Sequence, residues 1–428
     1  MRTTDAIRIC ASTARLQRTQ WRSASQILAY QRACLARILA FSATHVPHYR
    51  HLDTGARPER PEDWLALFPI LSKSDLQIAD DGLIPDGTSR ARLHQSRTSG
   101  STGEPTVSYF DHSTWLFCKY ALKLRRMLNC GLGLRSRVLI VSEADEGRLR
   151  SERRAVLPGE GRLFLQAYLS LHAPIEEHLR ELERLRPDAI YAFPSYLSEL
   201  LDYCEAHGHG LPPAKVVFTS SELLTPSLRK RLEESFRARV CDIYGCTEFK
   251  EVAWQCEAGR YHVNHESVWV ESISDSRVDE PGALVLTTLV NRGLPLIRYR
   301  VGDLGRLTWE SCICGRQGPV VSDLAGREVD LLELPDGRRI SPYLLTTSVE
   351  DMNGLRQYQF AQTARDCLEL RFTAFHGCCP DEVELRRRLQ EILGTQMRVR
   401  TVRASDVPRT PGGKRRVFVR EMADGVDD

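Results

Sequence analysis

Residues 137–245 contain four short β-rich runs, RVLIVSE at 137–143, DAIYAF at 188–193, KVVFTS at 215–220 and RVCDIYG at 239–245. A helical segment, YLSELLDYCEAHG at 196–208, follows the second run. Strands that alternate with helices are typical of βαβ units, in which the strands lie parallel in one sheet. This stretch therefore predicts an α/β fold with a largely parallel sheet.

The flanking segments predict further elements around this sheet. Apolar residues at helical spacing, from Ile27 to Phe41, predict one amphipathic helix over residues 12–43 that stops before Pro47. Consecutive β-rich runs over residues 261–308 predict a β-rich subdomain whose strands are more antiparallel than those of the first sheet. The large domain is therefore expected to combine parallel and mixed sheets with helices.

The last hundred residues have a different pattern. LELRFTAF at 368–375 and MRVRTV at 397–402 predict two strands, and Asp381 with Glu384 three positions later predicts the start of a helix between them. We expect an N-terminal domain of residues 1–326 and a small α+β C-terminal domain of residues 327–428.

Length and charge exclude several classes of function. The chain has 428 residues, of which 42% are hydrophobic and 27% are charged, as in ordinary globular proteins. The 59 basic and 56 acidic side chains give a net charge of +3, so neither a nucleic acid nor a membrane surface is an expected partner. No secretory signal or membrane-spanning run is visible, and 13 scattered cysteines suit a reducing compartment, so we expect a cytoplasmic protein.

Lysine is scarce in this chain. Seven lysines are present, so 52 of the 59 basic side chains are arginine. A lysine retained against such a bias deserves a functional explanation.

Two segments offer groups that suit a nucleotide. The run Thr98-Ser99-Gly100-Ser101-Thr102-Gly103 crowds hydroxyls and backbone amides that can converge on phosphate oxygens, although it lacks the ending of a Walker loop. Tyr244-Gly245-Cys246-Thr247-Glu248, after the strand RVCDI, offers a ring for a base and a carboxylate for Mg²⁺. Each is also compatible with an ordinary surface loop or turn.

Two later segments add a carboxylate and a cation. Asp303 lies between two glycines in VGDLG and can accept ribose hydroxyls, although a hairpin turn explains the same residues. Lys414 follows Pro411-Gly412-Gly413, where a cation on a mobile loop can approach developing negative charge. A solvated Arg-rich tail is the alternative, since Arg415 and Arg416 come next.

The order of these segments, together with Gly326-Arg327, resembles the core motifs of the adenylate-forming superfamily of acyl-CoA ligases and adenylation domains. The chain is most similar to the phenylacetate–CoA ligase-like branch, through HVPHYR at 45–50, FPILSKSDL at 68–76, FPSYL at 193–197 and LPLIRYRVGDLG at 294–305. The resemblance covers most of the chain in the same order.

This resemblance implies an enzyme that uses ATP and Mg²⁺ to convert a carboxylic acid to an acyl-adenylate, releasing pyrophosphate, and then transfers the acyl group to CoA. The loop Thr98–Gly103 would cradle the β- and γ-phosphates. Tyr244, with Gly245, would bind adenine, Thr247 the α-phosphate and Glu248 Mg²⁺. Asp303 would bind the ribose with help from Arg327, and Lys414 would bridge the carboxylate and the α-phosphate.

The resemblance also implies a C-terminal domain that rotates about a hinge at Gly326-Arg327-Glu328-Val329-Asp330. Val329 stands where an acidic or basic residue is usual, which leaves open an amine or a carrier in place of CoA as acceptor. A stand-alone aryl-adenylate ligase, an amide ligase and a non-catalytic binding homologue are therefore alternatives. The oligomeric state is not predicted.

Two further sites follow from the same resemblance. Cys256, His262, Cys312 and Cys314 resemble the ligands of zinc-containing relatives, and three thiolates with one imidazole would form a closed structural zinc site. The family favours aromatic acids, and Tyr191, Phe193 and Ser195 follow a predicted strand where a slot for a ring can form. These three residues are equally compatible with packing in the sheet.

Overall fold

A computed structural model describes residues 2–52, 58–97, 106–142, 154–155, 165–274, 281–375, 377–408, 410 and 415–422. In this part of the chain the α-helices α1 to α11 are, in order, Thr3–Thr19, Ala24–His45, Pro61–Leu65, Lys73–Ile78, His112–Leu116, Leu122–Asn129, Ile175–Leu185, Pro194–His207, Pro226–Phe236, Pro342–Val349 and Glu382–Leu393. Short 3-10 helices comprise Pro47–Leu52, Asp80–Leu83, Arg90–Arg92 and Glu328–Asp330, and a π-helix, Phe117–Ala121, joins α5 to α6.

The strands β1 to β10 of the described residues are His94–Arg97, Val107–Phe110, Arg137–Ser142, Arg154–Ala155, Leu165–Ser170, Ala189–Ala192, Val216–Ser220, Arg239–Cys246, Lys250–Gln255 and Tyr261–Val263. The strands β11 to β20 are Val268–Ile273, Gly282–Thr288, Tyr299–Thr308, Val320–Arg327, Leu332–Glu333, Arg339–Ile340, Leu355–Ala364, Cys367–Ala374, Arg398–Arg403 and Phe418–Arg420.

One large sheet organises the N-terminal part of the chain. Its order is β11-β12-β13-β14-β10-β9-β8-β7-β6-β3-β5-β4, and β8, β7, β6, β3 and β5 run parallel. The α/β class and the parallel sheet are thus confirmed. The antiparallel strands predicted over residues 261–308 are also present. They continue the same sheet, because the end of β8, from Ile243 to Cys246, pairs antiparallel with β9.

Alternating side chains bury both faces of the parallel strands. Val138 and Ile140 pack on one side with α5 and α6, whereas Leu139 and Val141 pack on the other with α7, α8 and α9. Successive side chains of a strand point to opposite faces, so a run such as VLIV is apolar throughout when helices cover both sides.

The N-terminal helix was predicted as one element and is two. Helix α1 ends at Thr19, and α2 begins at Ala24 after Ser23, whose side chain accepts a hydrogen bond from the Gln26 backbone amide while the Gln26 side chain bonds back. This capping box starts a new helix, a local signal that the longer apolar pattern hid. None of the described helices has the length and apolar character needed to cross a membrane.

The C-terminal part has its own sheet and core. Strands β19-β18-β17-β20 form a four-stranded sheet whose apolar face packs against α10 and α11. Asp381 accepts hydrogen bonds from the amides of Val383 and Glu384, and Leu385 and Leu389 are buried, so the predicted helix is confirmed. The boundary at residue 326 stays a prediction, although the large sheet ends at Arg327.

A buried ion pair ties the helices to the large sheet. Arg125 on α6 places Nη1 3.0 Å from both carboxylate oxygens of Glu266, in the turn before β11, and Thr19 at the end of α1 donates to the same carboxylate at 2.7 Å. Burial alone would raise the pKa of Glu266, but Arg125, His265 and Thr19 lower the pKa to about 2.

We expect this ion pair to make stability depend on pH. Because the pKa of folded Glu266 lies below its ordinary value of 4.5, its contribution is complete above that value and is lost as pH falls towards 2. Glu266→Gln should lower the free energy of unfolding by about 3–5 kcal/mol at pH 7 and flatten this acid-side decline. Denaturant unfolding between pH 3 and 7 measures both effects, with Glu234→Gln, at an exposed i,i+4 pair, as the control. Equal stability of Glu266→Gln and the control at pH 7 would contradict this role.

Candidate active site

A cavity of about 1320 Å³ lies over the carboxyl ends of the parallel strands. Its walls include residues from β8, β13 and β14 of the large sheet and from Pro342–Val349 and Leu355–Ala364 of the C-terminal part. Ligands of open α/β sheets bind in this position, where the direction of the connections changes.

The cavity brings together residues from two of the predicted nucleotide segments. Tyr244 and Asp303 both line it, and the Tyr244 hydroxyl donates to Asp303 Oδ2 at 2.9 Å. Arg327, on β14, is the strand partner of Asp303 and also lines the cavity. Burial raises the pKa of Asp303 above its ordinary value, while Arg327 and the Tyr244 hydroxyl act in the opposite direction.

The remaining residues of the Tyr244 segment extend along the same wall. Thr247 is half-buried at the cavity, and Glu248 is buried with Oε1 3.0 Å from the Tyr299 hydroxyl, which donates to it. Oxygen ligands suit Mg²⁺, and this carboxylate lines the cavity, so Glu248 is chemically suited to hold the ion.

The segment around Asp303 lies inside a strand and not in a hairpin turn, whereas the Tyr244 segment is divided between the end of a strand and a turn that holds Thr247 and Glu248. Tyr244 and Gly245 belong to β8, where a bulge at this point shifts the register against β9. Asp303 lies within β13, and the register against β14 shifts between Leu304 and Arg306. Bulges near binding sites re-aim side chains, which explains how strand residues come to face a ligand cavity.

Two predicted parts of the site lie outside the described residues, namely the segment Thr98, Ser99, Gly100, Ser101, Thr102, Gly103 and the lysine Lys414. The first is flanked by Arg97 of β1 and Val107 of β2, which are paired. Around the second, Thr410 and Arg415 line the cavity.

The residues considered for the acid slot take different positions. Tyr191 lines the cavity and shares a hydrogen bond with Ser220. Ser195 also lines it, but its backbone amide and hydroxyl both donate to Glu222, at 2.8 and 3.0 Å. Phe193 instead packs against the apolar cluster under α8 and is not among the described cavity residues.

Several cavity contacts were not predicted from the sequence. Arg300 forms an ion pair with Glu328 at 2.7 Å, which ties the predicted hinge to β13, and Arg415 lies 3.5 Å from Glu199 on α8. Arg126 on α6 pairs with Glu251 at 3.0 Å. These partners are far apart in sequence, so no local pattern indicates them.

The four predicted metal ligands meet away from this cavity. Cys256, His262, Cys312 and Cys314 place their ligand atoms within 4.8 Å of one another, with Cys256 Sγ 3.7 Å from Cys312 Sγ and Cys314 Sγ 3.3 Å from His262 Nε2. The cluster forms because β10 pairs with both β9 and β14, which brings the two cysteine segments together.

The chemistry of this cluster suits a thiophilic metal ion. Burial and the nearby Arg316 lower the pKa of His262 to about 3, so its imidazole is neutral at pH 7, the form that ligates metals. Burial opposes ionisation of Cys314, yet hydrogen bonds from Arg316 hold the pKa of this thiol below its ordinary value. Three sulfur atoms and one nitrogen fit tetrahedral zinc.

Comparison with known proteins finds sequence relatives that are named as acid–CoA ligases. No protein-family model matches the chain. It is 28% identical over 328 residues to a phenylacetate–coenzyme A ligase of Thermus thermophilus, covering 72% of each chain, and 26% identical over 436 residues to the Escherichia coli K12 protein of the same name, covering 92% of this chain and 95% of that protein.

Solved structures share the fold. A 2-hydroxyisobutyryl-CoA ligase in the postadenylation state, with an acyl-AMP bound, matches with a TM-score of 0.73 at 21% identity, covering 91% of this chain and 88% of that one. An anthranilate CoA ligase in complex with anthranoyl-AMP matches with a TM-score of 0.56 at 16% identity, covering 77% of this chain and 67% of that one. The fold is that of the adenylate-forming enzymes. Together with the sequence relatives, it confirms the resemblance to the phenylacetate–CoA ligase-like branch of that superfamily.

We expect Gly245 to be essential for this site. A Cβ atom at this position would lie 2.2 Å from the carbonyl oxygen of Lys250 in the paired strand, so β8 and β9 could not keep their approach. Gly245→Ala should lower stability by about 1–3 kcal/mol and weaken AMP binding. Thermal unfolding and calorimetric titration measure these effects, with Gly133→Ala as a control because a Cβ there meets no atom within 4 Å. Wild-type stability and affinity in Gly245→Ala would contradict the close approach.

Proposed function

We propose that this chain uses ATP to activate a carboxylic acid as its acyl-adenylate, with release of pyrophosphate, and then transfers the acyl group to CoA. The observation that carries the proposal is the hydrogen bond of 2.9 Å between Tyr244 and Asp303, beside the strand partner Arg327, at the wall of the large cavity. The relatives named phenylacetate–coenzyme A ligase support the same reaction.

Each polar group on this wall has a role in the proposal. Tyr244 binds adenine next to Gly245, Asp303 accepts the ribose hydroxyls and Arg327 assists it. Thr247 contacts the α-phosphate, and Glu248 holds the Mg²⁺ that neutralises phosphate charge. The segment Thr98–Gly103 would bind the outer phosphates. The protein mainly positions two anions that repel each other, as in other phosphoryl chemistry.

We further propose that residues 1–326 and 327–428 form two domains that rotate between the two half-reactions. The same 2-hydroxyisobutyryl-CoA ligase matches this chain with a TM-score of 0.73 in its postadenylation state and 0.59 in its thioesterification state, at 21–22% identity. The present arrangement therefore resembles the state reached after adenylation. The Arg415–Glu199 contact joins the segment after Lys414 to α8 in this arrangement.

The acid is proposed to be aromatic. Tyr191 and Phe218 line the cavity at paired positions of the neighbouring strands β6 and β7, so two adjacent aromatic side chains are available to a flat ring. Ser195 supports the start of α8 through Glu222 and is a less direct candidate for contact with the acid.

The acceptor has a second candidate, an amine or a carrier in place of CoA. The observation that favours it is Val329, which lies at the cavity within the predicted hinge and is 68% exposed. An apolar residue there offers no charge to the hinge, and the hinge serves the half-reaction that forms the thioester.

We propose that zinc binds Cys256, His262, Cys312 and Cys314 and has a structural role. Four protein ligands leave no position for a reacting water, and the metal would tie the β9–β10 connection to the segment between β13 and β14.

We expect Lys414→Ala to abolish most adenylation while retaining ATP binding. A compact ammonium between the carboxylate and the α-phosphate stabilises charge in the transition state, so its loss should lower the rate about 10²–10³-fold. Carboxylate-dependent pyrophosphate exchange measures this step across a panel of aromatic acids. Normal exchange in Lys414→Ala would refute its role, and no exchange by the wild type with any acid would favour a non-catalytic binding protein.

The same reactions with CoA present and absent, followed by mass spectrometry, identify the acceptor. Acyl-CoA supports the proposal. Pyrophosphate exchange without acyl-CoA favours an amide ligase or a stand-alone aryl-adenylate ligase.

We expect purified protein to contain about one equivalent of zinc, and Cys256→Ser to contain little. Loss of one thiolate removes a ligand from a closed site, so the thermal unfolding temperature should fall as well. Elemental analysis measures the metal, with Cys10→Ser as the control because Cys10 is exposed and lies outside the cluster. Less than about a tenth of an equivalent in the wild type would contradict the zinc site.

A further inference from the structure

Three cationic side chains line the cavity from α6 and the preceding π-helix, and apolar side chains line it from the adjoining parallel strands. Lys119, Lys123 and Arg126 line the cavity from this helical segment, at the spacing of one helix face. Ile140 and Phe218 line it from the parallel strands. The Arg126 guanidinium lies 4.3 Å from the centre of the Phe218 ring, so the two walls meet at this point.

The cationic side chains from α6 and the π-helix outnumber the acidic group beside them. Arg126 forms its ion pair with Glu251 at 3.0 Å, and both side chains are at most 10% exposed. The Lys119 ammonium lies 4.3 Å from the centre of the Trp115 ring. The ammonium of Lys123 has no hydrogen-bond acceptor or ion-pair partner among the described residues, although it faces a cavity. Burial and the neighbouring Arg126 lower the pKa of Lys123 to about 8, so at pH 7 it remains mostly a cation.

The use of lysine in this chain supports a ligand-binding role for these groups. Four of the seven lysines, Lys73, Lys119, Lys123 and Lys250, line this one cavity. By contrast, Lys215 and Lys230 are more than half exposed and pair with surface carboxylates. A compact ammonium with three rotatable donors can meet an oxygen atom in a confined space that a planar guanidinium fits poorly.

An unpaired ammonium in a partly desolvated cavity is costly unless a ligand supplies the missing partner. Glu251 is the carboxylate whose charge acts on Lys123, but its Oε2 is paired with Arg126, so one negative charge faces the three cations Lys119, Lys123 and Arg126. The partner that fits is an oxygen acceptor on the body of the bound acid, which the aromatic and aliphatic strand wall would hold against α6.

We propose that the acid activated by this chain carries an oxygen substituent, a hydroxyl or a second carboxylate, and that Lys123 binds this oxygen. The inference rests on the proposed adenylation of an aromatic acid and specifies its substrate class. An unsubstituted acid leaves the ammonium unpaired, and sites built around a buried polar contact discriminate strongly against analogues that lack it. Lys123 is therefore a specificity-determining residue.

The test compares pyrophosphate exchange with matched acids in the wild type, Lys123→Met and Lys230→Met. The panel contains benzoate and phenylacetate together with their ring-hydroxylated and ring-carboxylated counterparts. We expect the wild type and Lys230→Met to prefer at least one oxygen-substituted acid by tenfold or more in kcat/KM. In Lys123→Met this ratio should fall at least tenfold, because the side chain stays unbranched and keeps most of its length but loses its donors.

A second variant distinguishes the two oxygen substituents. Lys123→Gln keeps a hydrogen-bond donor but no charge, so it should retain more of a preference for a hydroxylated acid than of one for a dicarboxylic acid. Thermal unfolding and AMP binding show whether Lys123→Met folds. If it does not, Lys123→Gln provides the test of the proposal.

The outcomes separate the two proposals. A wild type that prefers the unsubstituted acids, or a selectivity ratio that changes less than twofold in both Lys123 variants, overturns the assignment of Lys123 while leaving adenylation intact. An absence of exchange with every acid overturns the proposed function itself, and the substrate class falls with it.

Discussion

The close approach of β8 to β9 is the constraint on which the site depends. At Gly245 the two strands leave no room for a side chain, because a Cβ would lie 2.2 Å from the Lys250 carbonyl oxygen. On one side of this contact the sheet is parallel, and on the other it is antiparallel. The Tyr244–Glu248 segment therefore lies where parallel strands end and where a bulge turns its side chains towards the cavity.

Electrostatics then divides the cavity into two regions. At the sheet end, the half-buried Asp303 and the buried Glu248 each accept a hydrogen bond from a tyrosine hydroxyl, and these are the carboxylates proposed to bind the ribose and the metal. At the α6 end, Lys119 and Lys123 provide cationic donors beside the neutralised Arg126–Glu251 pair. The proposed ligand, with a nucleotide at one end and an oxygen-bearing acyl group at the other, would be complementary to both regions.

The fold was largely predictable because the strongest signals were local. The apolar runs predicted the parallel strands, and Asp381 with Glu384 predicted the start of α11. The break between α1 and α2 was missed, because the apolar residues keep their helical spacing across it. The signal for the break is Ser23, which caps the start of α2. The motif residues Tyr244 and Asp303 were identified by resemblance, but their mutual hydrogen bond was not, because it depends on how distant strands pair.

The most direct test of the account is calorimetric titration of the protein with a non-hydrolysable aryl-adenylate analogue, with AMP titrated in parallel. Because one cavity is proposed to hold the nucleotide and the acid together, the binding free energies of the two parts should combine. We predict one bound equivalent with a Kd at least about 100-fold lower than that of AMP, in the range by which enzymes favour analogues of reaction intermediates. An affinity no greater than that of AMP, or no binding of either compound, would contradict the account.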